Sequence, residues 1–97
     1  MDTFTQPKIT GYRQLNETEA ALMNEIKAKG SELEDLVVKV QDYLIKQAAT
    51  AQREYVHKDD VRRLEIAQPA RWAAIGRTHF QEGLMALVRA VAQPSSF

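Results

Sequence analysis

An aromatic ring and several cations lie close together near the start of this 97-residue sequence. Tyr12 and Arg13 come just before a helical pattern, and Lys27 and Lys29 lie two to three turns inside it. A tyrosine ring can stack on a purine base, and a lysine ammonium can bind a phosphate oxygen. The combination therefore predicts a nucleotide-binding site. Spacing alone favours a plainer alternative, in which Tyr12 packs an N-terminal arm onto the helices and the lysines are solvated.

A second group of polar residues lies in the C-terminal half, where Arg71, Arg77 and Thr78 belong to one helical pattern. From residue 70 onward the sequence contains three arginines and one acid, Glu82. Arginine forks bind phosphate through two parallel hydrogen bonds. A symmetry axis that gathered copies of these side chains would thus form an anion pocket. Ion pairs between the arginines and acids of the first helix are an equal alternative.

Catalytic and metal chemistry find little support in the sequence. There is no cysteine, and the two histidines, His57 and His79, have no second ligand at a metal-binding spacing. Asp59 and Asp60 beside His57 are better interpreted as a polar turn with a helix cap. We therefore expect no catalytic residues, no metal site and no cofactor. Thirteen basic and thirteen acidic residues balance, so charge does not indicate a DNA or RNA polymer as partner.

The elements that must position these residues are predicted to be helical. Residues 1–15 are expected to form an irregular arm, and a first helix is expected over residues 16–56. Asn16 followed by Glu19 predicts a capping box at its start. An apolar seam then recurs at steps of three and four residues, typical of a helix that packs along a partner. Its members are Ile26, Gly30, Leu33, Val37, Val40 and Leu44.

A second helix is predicted over residues 60–92, after a turn at residues 57–60 and with a break near Pro69. Gly76 and Gly83 lie seven residues apart on one face of it. A glycine inside a helix costs about 1 kcal/mol relative to alanine, and close approach of another backbone is the usual compensation. The fold class is thus all-α, with an N-terminal arm and one helical hairpin domain over residues 1–97. Because two unequal helices leave apolar surface uncovered, we expect a symmetric homo-oligomer.

The sequence also predicts where the protein acts. No apolar run approaches the roughly 20 residues that a membrane span requires. The N-terminus lacks a basic start and an apolar core, so we expect no signal peptide and no membrane association. The lack of cysteine fits a reducing cytosol.

Three segments together resemble a phage family of anti-CBASS proteins, which shares a hairpin domain with one type of Thoeris anti-defence protein. The first segment reads I-T-G-Y-R-x-L, and the second reads E-x-x-L-M-N-E-I-K-x-x-G-x-x-L. The third reads R-T-H-F-Q-E-G-L-M-A-L-V-R-A-V-A-Q-P. The resemblance extends from about Ile9 to Pro94, and the long stretch between Leu33 and Ala67 contributes little to it.

The resemblance implies a homo-hexamer that sequesters cyclic nucleotides in the cytoplasm of an infected bacterial host without cleaving them. Cyclic dinucleotides, such as cyclic GMP-AMP or cyclic di-AMP, would lie in pockets formed by two protomers. A tyrosine before the long helix would stack on the bases and a lysine in its early turns would meet the phosphates. Tyr12 and Lys27 match those positions, and Arg13 is included beside them.

The resemblance also implies a separate pocket near a threefold axis, where family members bind cyclic trinucleotides such as cyclic tri-adenylate. An arginine and a threonine of the second helix form it. Arg71, Arg77 and Thr78 are the nearby residues, and their register is open. Two rival functions remain: a hydrolase that degrades the signal, and a helical protein-protein interaction or regulatory module that has no nucleotide ligand.

Overall fold

The computed structural model describes residues 13–53 and 58–96, which form three helices. They are α1 (Glu17–Arg53), α2 (Lys58–Ala67) and α3 (Pro69–Ala92). The N-terminal half of α1 lies against the C-terminal half of α3, so the two helices run antiparallel, and α2 packs on the C-terminal end of α1. The described residues contain no strand. The predicted all-α hairpin is therefore confirmed.

The start of α1 is fixed by a reciprocal pair of hydrogen bonds. The Glu19 amide donates to the Asn16 side-chain oxygen over 2.8 Å, and the Asn16 amide donates to a Glu19 carboxylate oxygen over 3.0 Å. These bonds satisfy amides that have no partner within the first helical turn. The predicted capping box is confirmed.

A glutamine followed by a proline ends both later helices. Gln68 precedes Pro69 and Gln93 precedes Pro94, and both glutamines adopt the left-handed conformation, with φ of 49° and 51°. The Gln68 amide donates to the Leu64 carbonyl, and the Gln93 amide donates to the Arg89 carbonyl. A residue before proline is disfavoured in the right-handed helical region, so each glutamine leaves the helix after this last bond. The division between α2 and α3 therefore falls at the predicted break.

The boundary before α2 differs from the prediction. The second helix was expected to begin at Asp60, but Lys58 and Asp59, predicted in the turn before it, already belong to the first turn of α2. Asp59 and Asp60 place negative charge at the positive end of the helix dipole, which stabilises an early start. His57, predicted in the same turn, lies outside the described residues.

The contact between α1 and α3 follows the predicted apolar seam with one change. Along α1 the less exposed positions include Ile26, Gly30, Leu33, Val37 and Leu44. At the fourth turn of the seam the half-buried position is Gln41, while Val40, predicted to face the partner helix, is 42% exposed. A long helix at 3.6 residues per turn drifts from a strict heptad, so the contact stripe moves by one residue.

A face of α3 remains uncovered. Trp72 is 59% exposed and Leu87 is 56% exposed, and Gly76 and Gly83 lie on the same side of the helix. A methyl group added at either glycine would meet no atom within 4 Å. The predicted close approach of another backbone is thus not supplied by residues 13–53 and 58–96. No helix in residues 13–53 and 58–96 is long and apolar enough to cross a membrane.

Candidate functional site

A groove between the middle of α1 and α3 contains two of the predicted site residues. Its volume is about 310 Å³, and we call it the Lys27 groove. In this groove Gly30 of α1 faces Leu84 of α3 closely. A methyl group added at Gly30 would lie 3.3 Å from a Leu84 methyl carbon. The residues that line it are Lys27, Gly30, Ser31, Leu33, Glu34, Val37, Arg77, Phe80, Gln81 and Leu84.

The side chains that line the groove carry a net positive charge. Lys27 from α1 and Arg77 from α3 contribute two cations, and Glu34 contributes one carboxylate. Among the described residues neither Lys27 nor Arg77 forms an ion pair within 4.0 Å. The ion pairs with acids of the first helix, considered as an alternative for Arg71 and Arg77, are likewise not formed there. Both cations therefore remain available to an anionic ligand.

Lys29, the other lysine of the early turns, has a different environment. Its ammonium lies 3.3 Å from a Glu32 carboxylate oxygen, and both side chains are largely exposed. It does not line the Lys27 groove. Lys27 is therefore the lysine that the fold places next to α3.

Arg13 is engaged within the chain. Its guanidinium pairs with the Glu19 carboxylate and donates to the carbonyl of Val91, near the end of α3, over 2.6 Å. The hydrogen bond from Arg13 lowers the pKa of Glu19, and the hydrogen bond from Asn16 lowers it further. These contacts describe a clamp between the start of α1 and the end of α3. Tyr12, the predicted stacking residue, lies outside the described residues.

The three residues considered for the second pocket do not meet in one chain. The Arg71 guanidinium lies over the Trp72 ring, 5.4 Å from its centroid. The Thr78 hydroxyl donates to the Ala74 carbonyl over 3.2 Å. Arg71 and Thr78 are seven residues apart, so they lie on the same face of α3, about two turns from each other. Arg77 lies on another face, towards α1.

A larger groove, which the sequence did not indicate, opens where α1 meets α2 and the start of α3. Its volume is about 710 Å³, and its lining is mainly apolar, including Leu44, Ala48, Val61 and Leu64. The apolar positions of α2, Val61 and Leu64, are the feature of the sequence that could have indicated it. Its position could not be predicted from sequence, because it depends on the direction of α2 relative to α3, and that direction depends on the turn at Gln68 between them.

Metal binding finds no support in the described part of the chain, which contains no group of three residues able to hold a metal ion. His79 lies 3.8 Å from Glu82 on the exposed surface of α3, one turn apart. This is a pair of neighbouring side chains on one helix and not a metal centre.

Comparison with known proteins places this arrangement in a family. The model of the Acb2/Tad1 hairpin domain matches residues 7–92. The chain belongs to the Acb2/Tad1 hairpin family. The resemblance found in the sequence is thereby confirmed.

One relative of this Acb2/Tad1 hairpin is a protein named Anti-CBASS protein 2 from Pseudomonas phage JBD67. It is 41% identical over 99 aligned residues, which cover 90% of this chain and 92% of the relative. The similarity therefore includes both helices that line the Lys27 groove.

Proposed function

We propose that the chain is a phage anti-CBASS protein that binds cyclic dinucleotides and lowers their free concentration without cleaving them. The observation that supports this most is Lys27 in a groove between α1 and α3, where it forms no ion pair with the described residues, in a chain of the Acb2/Tad1 hairpin family. A bound messenger no longer reaches the effector that it would activate. This action takes place in the cytoplasm of the infected bacterial host.

The chemistry of the ligand matches the residues. A cyclic dinucleotide such as cyclic GMP-AMP carries two phosphate charges and two flat bases. Two protomers related by a two-fold axis supply two Tyr12 rings for the bases and two Lys27 ammonium groups for the phosphates. Stacking on the bases and binding the phosphates require no redox or acid-base chemistry. The proposal therefore includes no catalytic residue and no cofactor.

The proposal requires more than one chain, and the uncovered face of α3 supports an assembly. Within the described residues only Val37 is buried, with 8% of its surface exposed. Apolar burial is the main favourable contribution to folding, and one such residue contributes about 1.5–3 kcal/mol, far less than the ordering of a hairpin costs. We therefore expect neighbouring copies of the chain to bury Trp72 and Leu87 in a closed oligomer, and we expect this oligomer to be a hexamer.

A second pocket for cyclic trinucleotides, such as cyclic tri-adenylate, is supported by the shared face of Arg71 and Thr78. Both lie on the side of α3 that points away from α1. Copies of that face can meet around a symmetry axis, where the guanidinium groups would bind phosphates and each Thr78 hydroxyl would turn from the Ala74 carbonyl to donate to them.

Calorimetry with cyclic GMP-AMP tests the dinucleotide site. We expect Lys27→Ala and Tyr12→Ala each to weaken binding about 10- to 100-fold, because a charged hydrogen bond contributes about 1.5–3 kcal/mol and base stacking about 1–3 kcal/mol. Lys39→Ala is the matched control, because Lys39 is exposed on α1 and does not line the groove. Unchanged affinity in both site variants rejects the site.

Two measurements separate the rival functions. Denaturing the loaded protein releases intact cyclic GMP-AMP if the protein sequesters its ligand, whereas a hydrolase yields linear products on chromatography. A helical protein-protein interaction module without a nucleotide ligand shows no rise in melting temperature with any cyclic nucleotide, since only a ligand that binds the folded state raises it.

A further inference from the structure

We propose that a groove between the last turns of α1 and α2 binds a linear dinucleotide. Its volume is about 510 Å³, and we call it the Tyr43 groove. Sites for small ligands commonly have volumes of about 300–1,000 Å³. The polar residues that carry the argument are Tyr43, Lys46 and Thr50 of α1 with Asp60 and Arg63 of α2.

A line of half-buried side chains shows how α2 lies along α1. Gln47, Ala51 and Leu64 line both the Tyr43 groove and the larger groove, and all three are half-buried, while the other residues that line the Tyr43 groove are exposed. Because α1 ends at Arg53 and α2 begins at Lys58, the two helices run in opposite directions past this contact. The two grooves therefore lie on either side of one line of contact between α1 and α2.

This contact brings Lys46 and Arg63 to the same level of the Tyr43 groove. Lys46 directly precedes Gln47 and Arg63 directly precedes Leu64, so each cation lies beside a residue of the shared contact. Neither cation forms an ion pair within 4.0 Å among the described residues. Like charges on facing helices repel each other, and a phosphate between them removes this repulsion. An arginine fork and a lysine ammonium both bind phosphate oxygens.

The two ends of the groove differ in chemistry. Tyr43 lies one turn before Lys46, and its ring, with 64% of the residue's surface exposed, is available to stack on a base. Thr50 lies one turn after Lys46, towards the end of α1. Asp60 lies one turn before Arg63, so in antiparallel helices it shares that end with Thr50. A hydroxyl and a carboxylate can bind the hydroxyl groups of a sugar.

A linear dinucleotide carries the matching groups in the same order, namely a base, a phosphodiester and the sugar of the second nucleoside. Two cations and one carboxylate leave a single positive charge in the groove, which balances one phosphodiester. A cyclic dinucleotide would bring a second phosphate towards the Asp60 carboxylate, which repels it. Lys46 follows Lys27 by 19 residues, roughly 29 Å of helix at 1.5 Å per residue, so this site does not depend on the proposed function.

Calorimetry with the linear dinucleotide ApA tests the site. We expect Tyr43→Ala and Arg63→Ala each to weaken binding about 10- to 100-fold, through loss of base stacking and of a charged hydrogen bond. Tyr43→Phe keeps the ring and should retain the affinity. Arg62→Ala is the matched control, because it removes the same charge from an exposed position of α2 that does not line the groove. Circular dichroism of each variant verifies that the helices remain.

Two results of this experiment would overturn the site. One is an unmodified protein that binds no ApA, and the other is unchanged affinity for ApA in both Tyr43→Ala and Arg63→Ala.

Smaller probes test the class of ligand. We expect inorganic phosphate to bind at least about 10-fold more weakly than ApA, because it lacks a base to stack on Tyr43. We also expect AMP to bind more weakly than ApA, because it has no second sugar to reach Thr50 and Asp60. Inorganic phosphate that binds as tightly as ApA would show an anion site only, and AMP that binds as tightly would reject a dinucleotide as the ligand.

A competition experiment separates this inference from the proposed function. We expect saturating cyclic GMP-AMP and the Lys27→Ala variant each to leave the affinity for ApA unchanged. If cyclic GMP-AMP displaces ApA and Lys27→Ala abolishes its binding, ApA occupies the Lys27 groove, and the inference is wrong while the proposed function stands. If the protein binds no cyclic dinucleotide but binds ApA through Tyr43 and Arg63, the proposed function fails and the inference stands.

Discussion

Arg13 joins three parts of the chain through a single side chain. Its guanidinium contacts the Glu19 carboxylate, which also completes the capping box with Asn16, and it reaches the Val91 carbonyl at the end of α3. These bonds occupy three of its five donor hydrogens. We therefore interpret Arg13 as a residue that fixes the start of α1 against α3, and its contact with the ligand stays a prediction.

The lowered pKa of Glu19 predicts a pH dependence of stability. The folded protein holds this carboxyl group below its ordinary pKa of 4.5, through the hydrogen bond from Arg13. Its contribution to stability is thus complete above pH 4.5 and is lost as the pH falls through the lower folded pKa. We expect the urea midpoint of unfolding to fall in acid below pH 4.5, and to fall less in Glu19→Gln.

Glu17→Gln is the matched control for this experiment, since Glu17 lies in the same helical turn and does not pair with Arg13. An equal acid-dependent loss in Glu19→Gln and in the unmodified protein would mean that the clamp does not contribute to stability.

The contacts of the site residues could be predicted from sequence only where the two partners are close together in the chain. The Asn16–Glu19 pair follows from a spacing of three within one helix turn, and the structure confirms it. Lys27 and Arg77 are 50 positions apart in sequence, and their common groove depends on how α1 is aligned along α3. The sequence of one helix shows which charges lie on a given face, but it does not show which other helix packs against that face.

The helices show a similar division between local and long-range information. Pro69 and Pro94 predicted where helices start and end, and α3 begins and ends beside them. The left-handed conformation of Gln68 and Gln93 was not predicted, because glutamine seldom adopts it and glycine or asparagine usually takes this position. The direction of α2 depends on Gln68, so the larger groove was also missed.

The two interior glycines of α3 allow a test of what covers this helix. A methyl group at Gly83 meets no atom of the described residues within 4 Å, so Gly83→Ala should stabilise an isolated hairpin by about 1 kcal/mol. We expect the opposite sign in the assembled protein, with a lower melting temperature, because the methyl group separates α3 from a neighbouring copy. Differential scanning calorimetry at several protein concentrations measures the effect.

Gly30→Ala provides the comparison for Gly83→Ala. Its methyl group would lie 3.3 Å from Leu84 of the same chain, so its effect should not change with protein concentration. If Gly83→Ala raises the melting temperature at every concentration, the glycine face of α3 is exposed to solvent and does not lie in an interface.

The described part of the protein has the shape of a rod and not of a globule. Its Cα atoms extend over 66 × 32 × 18 Å, and Val37 is the one buried residue in the described ranges. A hairpin of this shape lacks the interior that holds most small domains together. The sequence predicted that apolar surface would remain uncovered, but the number of copies depends on the angle between uncovered faces, which the residues of one chain do not define.

Placing a charge on the uncovered face tests the assembly directly. We expect Leu87→Glu to dissociate the oligomer in light scattering after size exclusion, because a carboxylate buried at an interface without a partner is strongly unfavourable. Ala49→Glu adds the same charge at an exposed position of α1 and should leave the mass unchanged. An unmodified protein with the mass of one chain, or a Leu87→Glu protein with the mass of the full assembly, argues against this interface.

The contact between Arg13 and the Val91 carbonyl also has a consequence for the order of the chain. It brings both ends of the described polypeptide to one pole of the rod, whereas α1 ends and α2 begins at the opposite pole. A linker could therefore join the two ends of the described polypeptide, Arg13 and Ser96, and a new opening could be made between Arg53 and Lys58, without changing how α1 and α3 pair. Such a circular permutant would present its tags at the far pole, away from the Arg13 clamp.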